Sequence, residues 1–224
     1  MVTSWHDYPA GLMGRTERHL LGWLQQEVRA GDTWLDIGAH YGYTAIALSR
    51  LVGAAGRVFA FEPVTATAGC VAQTRRLNNL SQLTVVPLGL GAPDSLTSIT
   101  LPLTRGMADK TLDRAGAPWL DSLQIARFDW LWPIINAGRD AVDGVKIDVQ
   151  GMELDVLCGM EQLLRRHRPN LVIEFHRGVD RSAILDLLDA VGYCRQPIAF
   201  EPQLDYSPTQ LLDDCSYAFQ KATR

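Results

Sequence analysis

Residues 36–44 of the chain read DIGAHYGYT, and they join a short apolar run at 33–37 to the helical pattern that follows. A glycine-rich turn between a strand and a helix is the place where a doubly wound α/β sheet binds its nucleotide. Small residues at Gly38, Ala39 and Gly42 allow the backbone to approach a ligand closely. The segment therefore predicts an α/β fold with a ligand site at this turn.

The residues around the turn favour a ligand other than a dinucleotide. His40 stands where the fingerprint Gly-x-Gly-x-x-Gly requires its second glycine, so nothing in the turn is specialised for a pyrophosphate. Asp36 closes the strand, and a carboxylate there suits an amine or another cation. Glu62 ends the next predicted strand, where an acidic side chain hydrogen-bonds a ribose. An amine, a ribose and no pyrophosphate together indicate S-adenosylmethionine as the cofactor.

Short apolar strands alternate with amphipathic helices along the chain, which predicts a mostly parallel, doubly wound sheet with helices on both faces. The predicted parallel strands are 33–37, 57–61, 83–88, 144–149 and 171–175. The predicted helices are 16–28, 43–51, one that ends near 78, 152–166 and 181–191. An antiparallel hairpin at the sheet edge is predicted from residues 192–194 and 216–221.

We expect a single domain over residues 1–224, with a helical cap at 1–30 and a Rossmann-like core at 31–224. The pattern loosens in an irregular insertion at about 91–143. Within it, two short extra strands are predicted at 98–103 and 123–128, and a loop at 106–118.

The composition is that of an ordinary globular protein, with 47% hydrophobic and 21% charged residues among 224. A formal net charge of −4 argues against a nucleic-acid partner, and the lack of an apolar run of about 18 residues argues against a membrane span. The four cysteines lie far apart, which indicates reduced thiols, and the N-terminus lacks a signal-peptide pattern. We therefore expect a cytoplasmic protein that acts on a small molecule.

Three segments carry a resemblance to a known family: DIGAHYGYT at 36–44, VFAFEP at 58–63 and VKIDVQGME at 145–153. Together they resemble the FkbM family of S-adenosylmethionine-dependent methyltransferases, over about residues 31–176. The resemblance implies a class I methyltransferase fold and methylation of a hydroxyl on a sugar or secondary metabolite. The first segment alone is generic to methyltransferases, and its combination with the third is much more specific.

The resemblance also implies how the cofactor is bound. Its methionine portion would face Asp36, Gly38 and His40, its ribose Glu62, and its adenine Gly89 and Leu90. The sequence departs from the family pattern where His40 replaces a usual asparagine, Gln150 a usual glutamate, and residues 88–90 a more polar segment. The substitution at Gln150 removes a charge beside the expected active site.

The chemistry is expected at the carboxyl ends of the fourth and fifth predicted strands. Methyl transfer from a sulfonium needs positioning, and a hydroxyl acceptor also needs a group that takes its proton. Asp148 is the predicted active-site carboxylate and a further cofactor contact, unless it only pairs with Lys146 or caps the next helix. His176 is a candidate general base, since its ordinary pKa lies near neutrality. Glu174 would orient His176 or share a metal site with Asp148.

Several alternatives stay open. Two carboxylates and a histidine could hold Mg²⁺, as in a metal-dependent O-methyltransferase acting on vicinal hydroxyls, but no recognisable metal signature favours this. An N- or carboxyl-methyltransferase and a catalytically silent S-adenosylmethionine-binding partner are the other rivals. Glu153, which starts the following helix, is expected only to complement the helix dipole.

Overall fold

The computed structural model describes residues 2, 17–104, 106–108, 110, 115, 119–200 and 211–222. Along the chain the elements are α1 (Arg18–Glu27), β1 (Thr33–Ile37), α2 (Tyr43–Val52), β2 (Arg57–Phe61), α3 (Thr65–Leu77), β3 (Leu83–Val86), β4 (Gly89–Gly91), β5 (Thr97–Thr104), β6 (Met107–Ala108), β7 (Leu120–Arg127), α4 (Phe128–Ile135), β8 (Gly144–Ile147), α5 (Glu153–Gly159), α6 (Glu161–His167), β9 (Asn170–Phe175), α7 (Arg181–Ala190), β10 (Ile198–Ala199) and β11 (Cys215–Phe219). No helix among these residues is both long and apolar enough to cross a bilayer.

The main sheet has seven strands in the order β10-β11-β9-β8-β1-β2-β3. The five strands from β9 to β3 pair in parallel, and β11 is antiparallel to both of its neighbours. The mostly parallel sheet predicted from the sequence is thereby confirmed. Because parallel strands end at the same edge, the residues after β1, β2, β8 and β9 all meet there.

Alternating side chains of the strands pack against two separate layers of helices, one on each face of the sheet. Leu35 and Phe59 pack on one face of the sheet with residues of α4, α5, α6 and α7. Trp34 and Val58 pack on the opposite face with α1, α2 and α3. Successive residues of a strand point to opposite faces, so an apolar strand is buried on both sides. The predicted helices on both faces are confirmed.

The insertion, together with β4 just before it, forms a second, four-stranded sheet in the order β4-β7-β5-β6. Both predicted extra strands are present, although each is longer than predicted. Phe128 was expected to end a strand and instead starts α4, because its fully buried ring stacks on Trp132 in the core. The predicted loop at 106–118 contains β6, and residues 105, 109, 111–114 and 116–118 lie outside the described residues. The N-terminal helix begins at Arg18, and its predicted start at residue 16 also lies outside them.

The helix predicted at 152–166 is wrong as a single element, because it is broken between α5 and α6 at Met160. A Cβ atom at Gly159 would lie 1.8 Å from the carbonyl oxygen of Gly91, so the helix backbone touches β4 directly. The carboxylate of Asp129 accepts hydrogen bonds from the backbone of Gln162 and Leu163 and satisfies the start of α6.

The edge hairpin exists, but its first strand lies later than predicted. Tyr193 makes only an isolated bridge to Lys221, and β11 pairs instead with Ile198–Ala199. Pro197 has no N–H group to donate to a ladder, and pairing resumes just after it.

Candidate functional site

A cavity of about 300 Å³ lies at the carboxyl edge of the parallel strands. Four of its charged side chains form what we call the charged wall, namely Glu17, Lys146, Asp148 and Glu174, and Glu62 is a further acidic residue of the lining. Its apolar wall includes Leu88 and Leu90 and the second-sheet residues Leu101, Met107, Leu123 and Ile125. The volume falls at the lower end of the range of small-molecule sites, which are mostly apolar with a few placed polar groups.

The turn after β1 is held against the ends of β2 and β8. The N–H groups of Gly38 and Ala39 both donate to the carbonyl oxygen of Phe61 at 2.9 Å. A Cβ atom at Gly38, whose φ is +80°, would lie 1.8 Å from the backbone oxygen of Asp148. Gly38, Ala39 and His40 line the cavity. Gly42 lies behind them with a φ of +83° and packs against Val71 of α3.

Asp36 is fully buried and does not belong to the cavity lining. Lys146 Nζ lies 3.8 Å from its Oδ1, and neither carboxylate oxygen has a hydrogen-bond partner among the described residues. Burial raises the pKa of Asp36 to about 6, although the charge of Lys146 opposes this. Asp36 is therefore linked to the cavity by Lys146, which pairs with it and lines the cavity. The cofactor contact expected for Asp36 stays a prediction.

Glu62 connects the turns that follow β1 and β2. Its Oε2 accepts a hydrogen bond from the N–H of His40 at 2.8 Å, and its Oε1 accepts one from Val64 at 2.9 Å. Only 5% of the residue is exposed, and burial raises its pKa to about 7. Glu62 lines the cavity beside Pro63 and Gly89. The gap there is narrow, because a Cβ at Gly89 would lie 2.4 Å from Ile125 Cδ1.

Lys146 is the centre of the charged wall. It is buried, with Nζ 3.0 Å from Asp148 Oδ2 and within ion-pair distance of Asp36. Burial alone would lower its pKa, but these two carboxylates hold the pKa well above its ordinary value. For Asp148, burial opposes ionisation, yet the charges of Lys146 and His176 lower its pKa. Lys146 and Asp148 thus form a charged pair at neutral pH.

His176 lies behind the cavity wall, and its Nε2 is 2.7 Å from Nε2 of Gln150. The same ring atom is 3.5 Å from Asp148 Oδ1 and 3.7 Å from Glu174 Oε1. Burial would lower the pKa of His176, but the bond from its Nδ1 to Glu153 and the charge of Asp148 raise it to about 9. Asp148, Glu174 and Gln150 line the cavity, whereas His176 does not. The structure brings the three predicted catalytic residues together, with the histidine in the second layer.

Glu153 takes a part in this site that the sequence analysis missed. Its side chain is fully buried, and its Oε1 lies 2.7 Å from His176 Nδ1 and accepts the N–H of Gly151. A role limited to the helix dipole does not account for a buried carboxylate bonded to an imidazole. The sequence feature that could have indicated this role is the position of Glu153 at the end of the segment VKIDVQGME, which carries the family resemblance.

Asp148, Glu174 and His176 could also hold a metal ion. One ligand atom from each lies within 4.8 Å of the others. A metal-binding histidine usually donates its second ring N–H to a carboxylate, as His176 can to Glu153. Ser216 similarly donates to the Oε2 atom of Glu174.

Comparison with known proteins bears on the fold and the family. The sequence model of one protein family, the methyltransferase FkbM domain, matches residues 36–194 of the chain. The hexuronic acid methyltransferase AglP of Haloferax volcanii is 28% identical over 174 residues, which are 78% of this chain and 68% of that protein.

Two solved structures share the fold. The methyltransferase FkbM from Methylobacillus flagellatus matches with a TM-score of 0.56 and 18% identity over 97% of this chain, which spans 56% of that one. A SAM-dependent O-methyltransferase from Thermotoga maritima matches with a TM-score of 0.55 and 16% identity, over 100% of this chain and 73% of that one. The class I methyltransferase fold is thereby confirmed.

Proposed function

Because the chain belongs to the FkbM methyltransferase family, we propose that it transfers the methyl group of S-adenosylmethionine to a hydroxyl group of a sugar or sugar acid. The observation that carries this proposal is the cavity with one charged and one apolar wall. The hexuronic acid methyltransferase of Haloferax volcanii supports the acceptor class. A cytoplasmic location stays a prediction from the sequence, as does the absence of nucleic-acid and membrane partners.

The two walls suit the two ends of the methyl donor. Gly89 and Leu90, at the apolar wall, would flank its adenine, and Glu62 would accept hydrogen bonds from its ribose hydroxyls. The charged wall would surround the methionine portion, whose ammonium and sulfonium groups are cations. When bound, S-adenosylmethionine supplies an electrophilic methyl group. The protein then has to align the acceptor and exclude water.

The acceptor proton needs a group whose pKa lies near the working pH. The charge of Asp148, together with burial, raises the pKa of Glu174 to about 7. Glu174 therefore suits the role of proton acceptor, and ionised Asp148 suits that of orienting the hydroxyl. His176 would act from behind them, and its protonated form would favour the ionised form of Asp148.

The variant Glu174→Gln tests this assignment, because it keeps the shape of the side chain and removes the base. We expect kcat to fall by roughly 10²–10⁴-fold, a much larger effect than any loss of affinity for S-adenosylhomocysteine. Turnover is followed as S-adenosylhomocysteine released with glucuronic and galacturonic acid derivatives as acceptors. Ser216→Ala is the matched control, since it removes only the hydroxyl that donates to Glu174, and it should retain most of the activity. Full activity of Glu174→Gln would contradict the role of Glu174.

Metal-dependent O-methylation is the second candidate, favoured by the mutual distances of Asp148, Glu174 and His176. We favour the metal-free reaction, because Lys146 already pairs with Asp148. Turnover should therefore be unchanged after treatment with EDTA. Loss of turnover with recovery on addition of Mg²⁺ would establish the metal-dependent reaction instead. Full activity of Asp148→Asn would contradict both the metal-free and the metal-dependent reaction, because each of them uses Asp148.

A further inference from the structure

Glu17 contributes to the cavity from outside the matched family domain. It immediately precedes α1, whereas the domain match begins at residue 36. Leu20 and Leu24 anchor α1 in the core, so the position of the helix is fixed against the sheet. Glu17 itself is half-buried and lines the cavity.

The carboxylate of Glu17 is aimed by a specific contact. Its Oε2 accepts a hydrogen bond from the hydroxyl of Thr44 at 2.7 Å. Thr44 lies in the first turn of α2, directly after the glycine-rich turn, and also lines the cavity. The backbone of Glu17 is left-handed, with φ 55° and ψ 31°. Such a conformation is uncommon for a residue with a side chain, and it is often retained at functional sites.

The charged wall contains three carboxyl groups and one ammonium, and the buried carboxyl group of Asp36 lies 3.8 Å from that ammonium. The charges of Glu17, Asp36, Asp148 and Glu174 all act on Lys146, which is the only lysine or arginine in the described lining. Glu17 also raises the pKa of both Asp36 and Glu174.

Carboxylates removed from water need cationic or hydrogen-bonding partners. Lys146 pairs with Asp148. His176 and Ser216 both lie beside Glu174. Glu17 accepts its hydrogen bond from a neutral group, the hydroxyl of Thr44. Of the carboxylates at the charged wall, Glu17 is therefore the one best placed to bind a cation that enters the cavity.

We propose that Glu17 binds the α-ammonium group in the methionine portion of the methyl donor. This inference rests on the proposed function. A sulfonium has no N–H group to donate, whereas an ammonium donates up to three hydrogen bonds, so the ammonium is the part of the donor that a carboxylate can orient. Glu17 lies next to the turn where the methionine portion is expected.

Calorimetry with two ligands tests this role. S-adenosylhomocysteine carries the ammonium group, and 5′-methylthioadenosine lacks the amino-acid portion. In Glu17→Gln we expect the affinity for S-adenosylhomocysteine to fall at least about tenfold, the usual effect of losing a hydrogen bond between charged groups. The affinity for 5′-methylthioadenosine should stay within about twofold of wild type, because the missing charge has no partner on that ligand.

Two further variants control for structural effects. Glu27→Gln makes the same change at the other end of α1, away from the lining, and should alter neither affinity. Thr44→Val removes the hydroxyl that aims Glu17, and it should weaken S-adenosylhomocysteine binding selectively but less. This variant also tests the inference if Glu17→Gln fails to fold.

The outcomes separate the inference from the function it rests on. Equal loss of both ligands in Glu17→Gln, or unchanged binding of S-adenosylhomocysteine, would overturn the role of Glu17 alone. A wild-type protein that binds neither ligand would overturn the proposed function as well.

Discussion

The carboxylate of Glu62 accepts backbone hydrogen bonds from His40 and Val64, and so connects two turns that both border the cavity. The sequence predicted that an acidic residue at the end of β2 accepts hydrogen bonds from the ribose of the cofactor. It could not predict the two backbone contacts, because they depend on how the turn after β1 folds over the neighbouring strand. The same limit applies to His176. The strand pattern predicted that His176 lies near Asp148, but it could not predict that the amide of Gln150 lies against the ring on the side of the cavity.

Burial of Glu62 predicts a specific dependence of stability on pH. Its pKa is 4.5 in the unfolded chain and about 7 in the folded one, so the folded protein binds more protons between these values. The resulting stabilisation is complete below pH 4.5 and is lost as the pH rises to about 7. The free energy of unfolding of wild type relative to Glu62→Gln should therefore fall by about 3 kcal/mol across this interval.

Urea unfolding of both proteins at several pH values measures this difference. Asp36 and the other titratable groups are present in both, so their contributions largely cancel. A difference that stays constant from pH 4.5 to 7 would show that Glu62 ionises as it does in water.

The break between α5 and α6 arises from packing against β4. The apolar pattern continues through Met160, so the sequence predicted one helix. The cause is the direct approach of Gly159 to Gly91, two residues far apart in the chain. β4 was not predicted either, because the three residues Gly89–Gly91 are too short and too glycine-rich to show a strand pattern.

Adding one methyl group at this contact should destabilise the protein. A Cβ in Gly159→Ala would lie 1.8 Å from a backbone oxygen, so either α5 or β4 must move. We expect the free energy of unfolding to fall by about 1–3 kcal/mol. Because β4 also contributes Gly89 and Leu90 to the cavity, the affinity for S-adenosylhomocysteine should fall as well.

Gly69→Ala is the matched control for this substitution. Gly69 lies on the exposed face of α3, and no atom lies within 4 Å of its Cβ position. Since alanine favours the helix over glycine, we expect a gain of about 0.5–1 kcal/mol. A stability of Gly159→Ala equal to that of wild type would contradict the tight contact with β4. Urea unfolding measures all three proteins.

For the molecule as a whole, the sequence predicted the layers better than the edges. The central strands were predicted closely, because each is a mostly apolar run bounded by charged residues, glycines or a proline, and both faces of it are buried. The edge strand β10 has only two residues, both exposed, so burial leaves no pattern in its sequence. The N-terminal helix was predicted as a cap, yet its contribution of Glu17 to the cavity depends on packing against α2. Local patterns thus predicted the scaffold, and long-range contacts supply the details of the site.

The position of β11 has a consequence for how the protein is made. This strand pairs with β9 along its whole length, from Cys215 beside Phe175 to Phe219 beside Leu171. The ribosome therefore finishes β9 about 40 residues before it makes the strand that will lie next to it. Until then β9 is the edge of the growing sheet, and Glu174 lacks the hydroxyl of Ser216. The nascent chain can assemble its cofactor-binding half first. Glu174, which would take the acceptor proton, gains its contact with Ser216 last.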